Sequence, residues 1–146
     1  MKTLLSAIKK ELQDKLTDIR DADIFIAPHI NYIPASVRMP CVAIKDGKIQ
    51  RKELTGGAVE ETLTVRLSVY TNLRKDEAAI MGDASANQKG ILDLVEDVHS
   101  ELHQNLLGIS VMMSAMCTTE EESEMFGDDT AAVMRKIITY QYDQQN

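Results

Sequence analysis

The stretch Thr62-Leu63-Thr64-Val65-Arg66-Leu67-Ser68-Val69-Tyr70-Thr71 decides the fold, because large apolar side chains occupy every second position along it. In a β-strand, side chains at alternate positions point to opposite faces. This pattern therefore predicts a strand that turns one face to the hydrophobic core and the other to polar surroundings.

The residues before this strand predict a β-hairpin. Two short β-type runs, at 41–44 and 49–54, lie on either side of Lys45-Asp46-Gly47-Lys48. Asp-Gly between two such runs is the strongest short-range hairpin signal. We therefore expect the turn at Asp46-Gly47, and a flexible connection or bulge at Thr55-Gly56-Gly57-Ala58.

Two segments show the three- and four-residue apolar spacing of an amphipathic helix. The first runs from about residue 3 to residue 20. The second starts at Ile91 and ends before Gly108, a residue type that often follows a helix. The two apolar stripes are Leu4, Leu5, Ile8, Leu12, Leu16 and Ile19, and Ile91, Val95, Val98, Leu102 and Leu106.

The remaining segments complete the order of elements. A short strand, a loop, a segment that is either loop or short helical turn, and two further strands are predicted at 24–26, 29–40, 75–87, 109–117 and 132–142. A chain of 146 residues has the length of one domain, so we expect a single domain over 1–146. The predicted fold class is α+β, a mostly antiparallel β-sheet with two amphipathic helices packed on one face.

Composition excludes several classes of protein. Hydrophobic residues make up 44% of the chain and charged residues 27%, values that exclude a disordered or low-complexity chain. No apolar run approaches the roughly 18 residues of a membrane span, so we expect a soluble, intracellular protein without a membrane partner. The net charge of −7 disfavours tight binding to a phosphate backbone.

The charge is distributed unevenly along the chain. Residues 1–37 carry five basic and five acidic side chains, residues 38–75 eight and four, and residues 76–146 three and 14. The middle segment is therefore +4 and the last −11. A solvated surface without a partner explains this split, and so does attraction between unlike patches of neighbouring copies that close into a ring. The candidate interface residues are Arg38, Lys45, Lys48, Arg51, Lys52, Glu120, Glu121, Glu122 and Glu124.

No motif for catalysis is present, so we expect no catalytic residue and no cofactor. His99 and His103 share one side of the second helix, as two zinc ligands would, but the chain nearby offers no third ligand and we predict no metal site. Cys41 and Cys117 lie in apolar runs and are predicted to be buried free thiols. The glutamates from Glu120 to Glu124 are predicted to form a solvated loop. Met112, Met113, Met116 and Met125 are predicted to fill the core.

Several segments together resemble a known family. They are the N-terminal amphipathic helix, the run Arg38-Met39-Pro40-Cys41-Val42-Ala43-Ile44-Lys45-Asp46-Gly47, the strand from Glu61 to Tyr70, the helix beginning Ile91-Leu92-Asp93-Leu94-Val95 and the run Arg135-Lys136-Ile137-Ile138-Thr139-Tyr140-Gln141-Tyr142. In this order they resemble the tail terminator, or tail completion, proteins of long-tailed bacteriophages and prophages.

The resemblance implies a structural virion protein and no enzyme. Such a protein forms a homo-oligomeric ring, usually a hexamer, on the end of the phage tail tube. The ring stops tube polymerisation and offers a head-tail joining surface to the connector protein, so the candidate interface residues could face a sister subunit or the tail tube protein. DNA would pass through without specific binding. The expected location is the virion tail, with the host cytoplasm during assembly.

Two alternatives remain open at this point. One is a small metal-dependent or ligand-binding enzyme that uses His99 and His103. The other is an adaptor, either another phage neck or tail protein or a domain that binds one cellular partner through the hairpin.

Overall fold

Two long helices cover one face of a six-stranded sheet in a computed structural model that describes residues 1–74, 77–127 and 132–145. The elements are α1 (Lys2–Lys15), β1 (Ile24–Ile26), β2 (Cys41–Glu53), β3 (Val59–Asn72), α2 (Ala78–Met81), α3 (Ile91–Leu102), β4 (Met112–Glu120), β5 (Glu124–Phe126) and β6 (Val133–Gln145). The strand order is β1-β2-β3-β6-β4, and β5 also pairs with β6. Only β1 and β2 run parallel among these pairs, so the predicted α+β class is confirmed.

The alternating strand predicted from the sequence lies within β3, at the centre of the sheet. Its residues Leu63, Val65, Leu67 and Val69 are at most 1% exposed and pack in the core with the apolar stripes of α1 and α3. Burying one such side chain stabilises the fold by roughly 1.5–3 kcal/mol. This one layer of contacts fixes both helices on the same face of the sheet.

The other face of the sheet is apolar at one end and polar over the rest. At the apolar end, Ala27, Cys41, Ala43 and Tyr70 form a second cluster, and the Tyr70 hydroxyl donates to the carbonyl oxygen of Ile30 at 3.1 Å. The segment between β1 and β2 thus covers this end.

Farther along the same face, polar side chains cross three strands. The carboxylate of Asp143 accepts hydrogen bonds from Thr62 at 2.7 Å and from Ser114 at 2.9 Å. These bonds join β3, β6 and β4 on the side that the helices leave uncovered.

The hairpin turn lies at a different place from the one predicted. β2 runs without interruption through Asp46-Gly47, where the register with β3 shifts between Asp46 and Ile49. The chain reverses instead between Leu54 and Ala58, whose backbones are joined at 2.7 Å, with Gly56 and Gly57 at φ angles of 84° and 81°. Two glycines in the left-handed region suit a tight turn, and the bulge takes the Asp-Gly pair.

Both long helices are shorter than predicted. α1 ends at Lys15, because Leu16 is extended, although Ile19 is still buried in the core. α3 ends at Leu102, because the backbone N–H of Gln104 donates to Ala115 on β4 rather than to the helix. Leu106 is therefore outside the helix.

The acidic run and the methionines also differ from the prediction. Glu120 ends β4 and Glu124 begins β5, so only residues 121–123 are outside strands. Met112 is 5% exposed, as expected for the core, whereas Met113, Met116 and Met125 are 48%, 54% and 66% exposed. Those three lie on β4 and β5, which among the described residues pair with a strand on one side only.

Three other predictions have clear outcomes. Both cysteines are free, with Cys41 buried and Cys117 half-buried. In the segment 75–87, residues 77–87 contain the short helix α2 and a bridge between Asp83 and Gln88, while residues 75–76 lie outside the described part. No helix in the described ranges has the length and apolar character needed to cross a bilayer.

Candidate subunit interface

The sheet has two edges that differ in charge. On one edge, β1 pairs only with Val42, Ala43 and Ile44, so β2 from Lys45 to Glu53 has no strand on its outer side among the described residues. On the other edge, β4 and β5 each pair with β6 alone in the described ranges. Unpaired edges expose backbone groups that a neighbouring molecule can reach.

Four predicted basic residues lie on the β2 edge, which we call the basic edge. Lys45 pairs with Asp46, and Nε of Arg51 lies 2.9 Å from a carboxylate oxygen of Glu61. Lys48 and Lys52 are exposed, and neither has an ion pair within the part of the chain that the structure describes. These two cations are therefore available to a partner.

Arg38, the remaining predicted basic residue, lies apart from Lys48 and Lys52, just before β2 begins. Its backbone N–H donates to a carboxylate oxygen of Asp23 at 3.0 Å, and Arg20 donates to the same carboxylate at 2.7 and 2.9 Å. Asp23 is only 2% exposed, and the hydrogen bond from Arg20 lowers the pKa of its carboxyl group. The first residue of β2, Cys41, is about 23 Å along the strand from Lys48.

The four predicted glutamates lie at the opposite edge, around the end of β4 and the start of β5, and we call this region the acidic edge. Glu121 lies 3.6 Å from Arg66, and Nε of Arg135 donates to Glu124 at 3.1 Å. Glu122 is exposed and, within the described ranges, has no ion pair. Glu121, Glu122 and Glu124 line a groove of about 350 Å³ that also contains Arg66 and Arg135.

The acidic edge lies beside a strip of exposed apolar residues that were predicted from the sequence to be buried in the core. Met113 and Met116 on β4 and Leu106 line a shallow groove of about 250 Å³. Clustered exposed apolar side chains of this kind typically mark an interaction surface. The spacing of these residues along the chain is similar to that of buried residues, so the sequence alone does not predict that they are exposed. Their exposure follows from the position of β4 at the edge of the sheet.

The two histidines lie on the same side of the second helix, as predicted, with their rings against each other. The rings of His99 and His103 are stacked, with centroids 4.6 Å apart and planes 19° apart. A ring nitrogen of His99, the Cys117 sulfur and a carboxylate oxygen of Glu120 instead lie within 4.8 Å of one another. Burial raises the pKa of the Cys117 thiol, and the charge of Glu120 adds to that shift. The strand β4 therefore brings two potential metal ligands, Cys117 and Glu120, close to His99. Their positions in the sequence did not predict this proximity.

Comparisons with known proteins give a likeness of fold. No protein-family model matches the chain, and no curated protein matches its sequence. Among solved structures, the chain is similar to one from the virion of a native gene transfer agent (GTA) particle. The match has a TM-score of 0.60 and covers 98% of this chain and 95% of that chain, at 12% sequence identity. The two chains therefore share a fold over nearly their whole lengths.

Proposed function

We propose that this protein is a structural component of a phage-like virion and acts as its tail terminator. Six copies form a ring on the end of the tail tube, stop its polymerisation and present the surface that joins the head connector. The shared fold with a virion chain supports this proposal. The observation that carries it is the pair of unlike edges at opposite sides of one sheet.

Unlike edges favour a ring over a two-fold dimer. A head-to-tail contact uses two different patches on each copy, and it closes into a ring when the rotation between copies closes. The two edges are three strand spacings apart, about 14 Å at about 4.8 Å each, and lie on opposite sides of the sheet, so they do not meet within one chain. Each edge is therefore free for a different neighbour.

Lys48 and Lys52 are complementary in charge to Glu122, the groove glutamate that has no ion pair among the described residues. Lys48 and Lys52 each carry a charge that has no described ion pair in the chain, and three glutamates line the groove. Across the sheet, Lys52 on β2 lies level with Gln145 on β6, and Glu120 on β4 lies level with Ile138 on β6. Lys52 and Glu120 are therefore offset by about 23 Å along the strand direction. The neighbour is therefore displaced along the strand direction, as strands in closed barrels are.

Apolar contact adds to the attraction between charges. Met113, Met116 and Leu106 lie beside the acidic edge, and covering them removes apolar surface from water at roughly 25 cal/mol per Å². Each copy carries −7, so six copies carry six times that charge, −42, and repel one another overall. The contact must outweigh this repulsion, and a ring of that charge gives DNA no net attraction as it passes.

The wild-type protein tests the proposal through its assembly state. At low salt and high concentration we expect closed six-membered rings in negative-stain images and a single large species in sedimentation velocity. Raising the salt should dissociate them, because exposed charges are screened beyond about 8 Å at 0.15 M ionic strength. Monomers or open filaments at every salt and concentration would contradict the proposal.

The terminator role has a separate test. Purified rings added to growing tail tubes of the same particle should hold the tubes at constant length. Tubes that lengthen equally with and without rings would leave a ring-forming protein with another place in the virion.

A further inference from the structure

Three different metal-ligand side chains meet where α3 crosses β4. His99 and Cys117 are half-buried and Glu120 is exposed, and one donor atom from each lies within 4.8 Å of the other two. We propose that His99, Cys117 and Glu120 bind one divalent transition-metal ion, zinc in preference to others, with the fourth position open to water.

The donor set selects the class of metal. Imidazole nitrogen, thiolate sulfur and carboxylate oxygen are all zinc ligands, whereas calcium and magnesium take oxygen ligands. Three protein ligands with an open fourth position is a common zinc arrangement. Thiolate also disfavours manganese and the other hard ions.

The separation of the donors is close to what a metal requires. With bonds of about 2.1 and 2.3 Å at a tetrahedral angle, two donors lie about 3.6 Å apart. Donors at the 4.8 Å limit of this cluster would therefore have to close by about 1.2 Å. Glu120 is exposed at the end of β4, so its side chain is free to make that movement.

Tyr140 orients the ring of His99 through a hydrogen bond. Nδ1 of His99 lies 3.2 Å from the hydroxyl oxygen of Tyr140, a residue that is fully buried. When Nδ1–H donates to the tyrosine oxygen, the lone pair of Nε2 is available to a metal. Zinc-bound histidines commonly use their second nitrogen in this way.

His103 holds the backbone beside the sulfur and is not one of the three ligands. Its Nδ1 accepts the backbone N–H of Cys117 at 3.4 Å, and its ring stacks on that of His99. The proposed ligands are thus His99 from the helix and two residues from β4. The bound ion would link α3 to β4 at the edge of the sheet. The site does not involve Lys48 or Lys52, so a negative result for ring formation does not overturn the metal site, and a negative result for metal binding does not overturn the ring.

A cobalt titration of the metal-free full-length protein tests the site. We expect saturable binding of one Co²⁺ per chain, with a thiolate-to-cobalt charge-transfer band in the near ultraviolet, and competition by Zn²⁺. Cys117→Ser should remove the band, while Cys41→Ala should retain it. Tyr140→Phe should weaken zinc binding by about 10- to 100-fold, as loss of an orienting partner does.

An exposed ligand gives a second readout that does not depend on folding of the cysteine variant. Glu120→Gln should weaken zinc binding by at least about tenfold, whereas the matched variant Glu122→Gln should bind as the wild type does. Absence of saturable binding would overturn the proposal. So would a band that survives Cys117→Ser, or equal zinc affinities for Glu120→Gln and Glu122→Gln.

Discussion

Reversing Lys48 and Lys52 to glutamate is expected to abolish ring formation and to leave a folded monomer. In the ring, these side chains would meet the glutamates of a neighbour, and like charges placed together across an interface cost several kcal/mol. The same defect recurs at every contact of the ring, so its effects accumulate. Both lysines are exposed, so the fold should tolerate the change. Sedimentation velocity at low salt measures the loss.

A matched control and a rescue make this prediction specific. Lys2→Glu with Lys15→Glu changes the net charge by the same amount at exposed positions on α1, and it should leave rings intact. Adding Glu121→Lys and Glu122→Lys to the Lys48 and Lys52 reversals should restore assembly, because the charges proposed to meet across the contact are then exchanged between the two edges. Equal loss in the control, or a failed rescue by a folded protein, would favour general repulsion over the proposed contact.

Gly47→Ala is expected to lower the free energy of unfolding by about 2 kcal/mol. A Cβ atom at Gly47 would lie 2.7 Å from the backbone oxygen of Thr64, so β2 and β3 would have to separate at the bulge. Urea denaturation of the monomer at high salt measures the change. Gln50→Ala, at an exposed position on the same strand, is the control and should change stability far less. Equal stabilities for the two variants would show that the bulge yields without cost.

The bulge also shows how far the sequence predicts this fold. The alternation in β3 and the apolar stripes of α1 and α3 each predict which face of the element is buried. These buried faces pack together in one core, so the sequence predicts a layer of helices on one face of a sheet. The Asp-Gly signal is local, whereas β2 pairs with β3 over nearly its whole length. That long-range pairing outweighs the turn preference of two residues, and the reversal falls at the next glycine pair.

The candidate sites depend even more on contacts between distant segments. His99 was visible as a possible ligand, but Cys117 and Glu120 reach it only because β4 returns beneath α3. The basic and acidic runs were visible as charges, while the pairing of Arg51 with Glu61 and of Glu121 with Arg66 was not. Those pairings single out Lys48 and Lys52 as the cations to test. The exposed methionines were misplaced because an edge strand and a core strand have similar sequences.

Zero-length crosslinking of the assembled protein tests the central claim most directly. A carbodiimide joins a lysine amine to a carboxylate only when the two touch, and the two edges of one chain are three strand spacings, about 14 Å, apart. We predict that mass spectrometry of rings at low salt will find Lys48 or Lys52 joined to Glu121 or Glu122, only in dimers and larger species. Rings in which both lysines remain unjoined to the acidic edge would contradict the account.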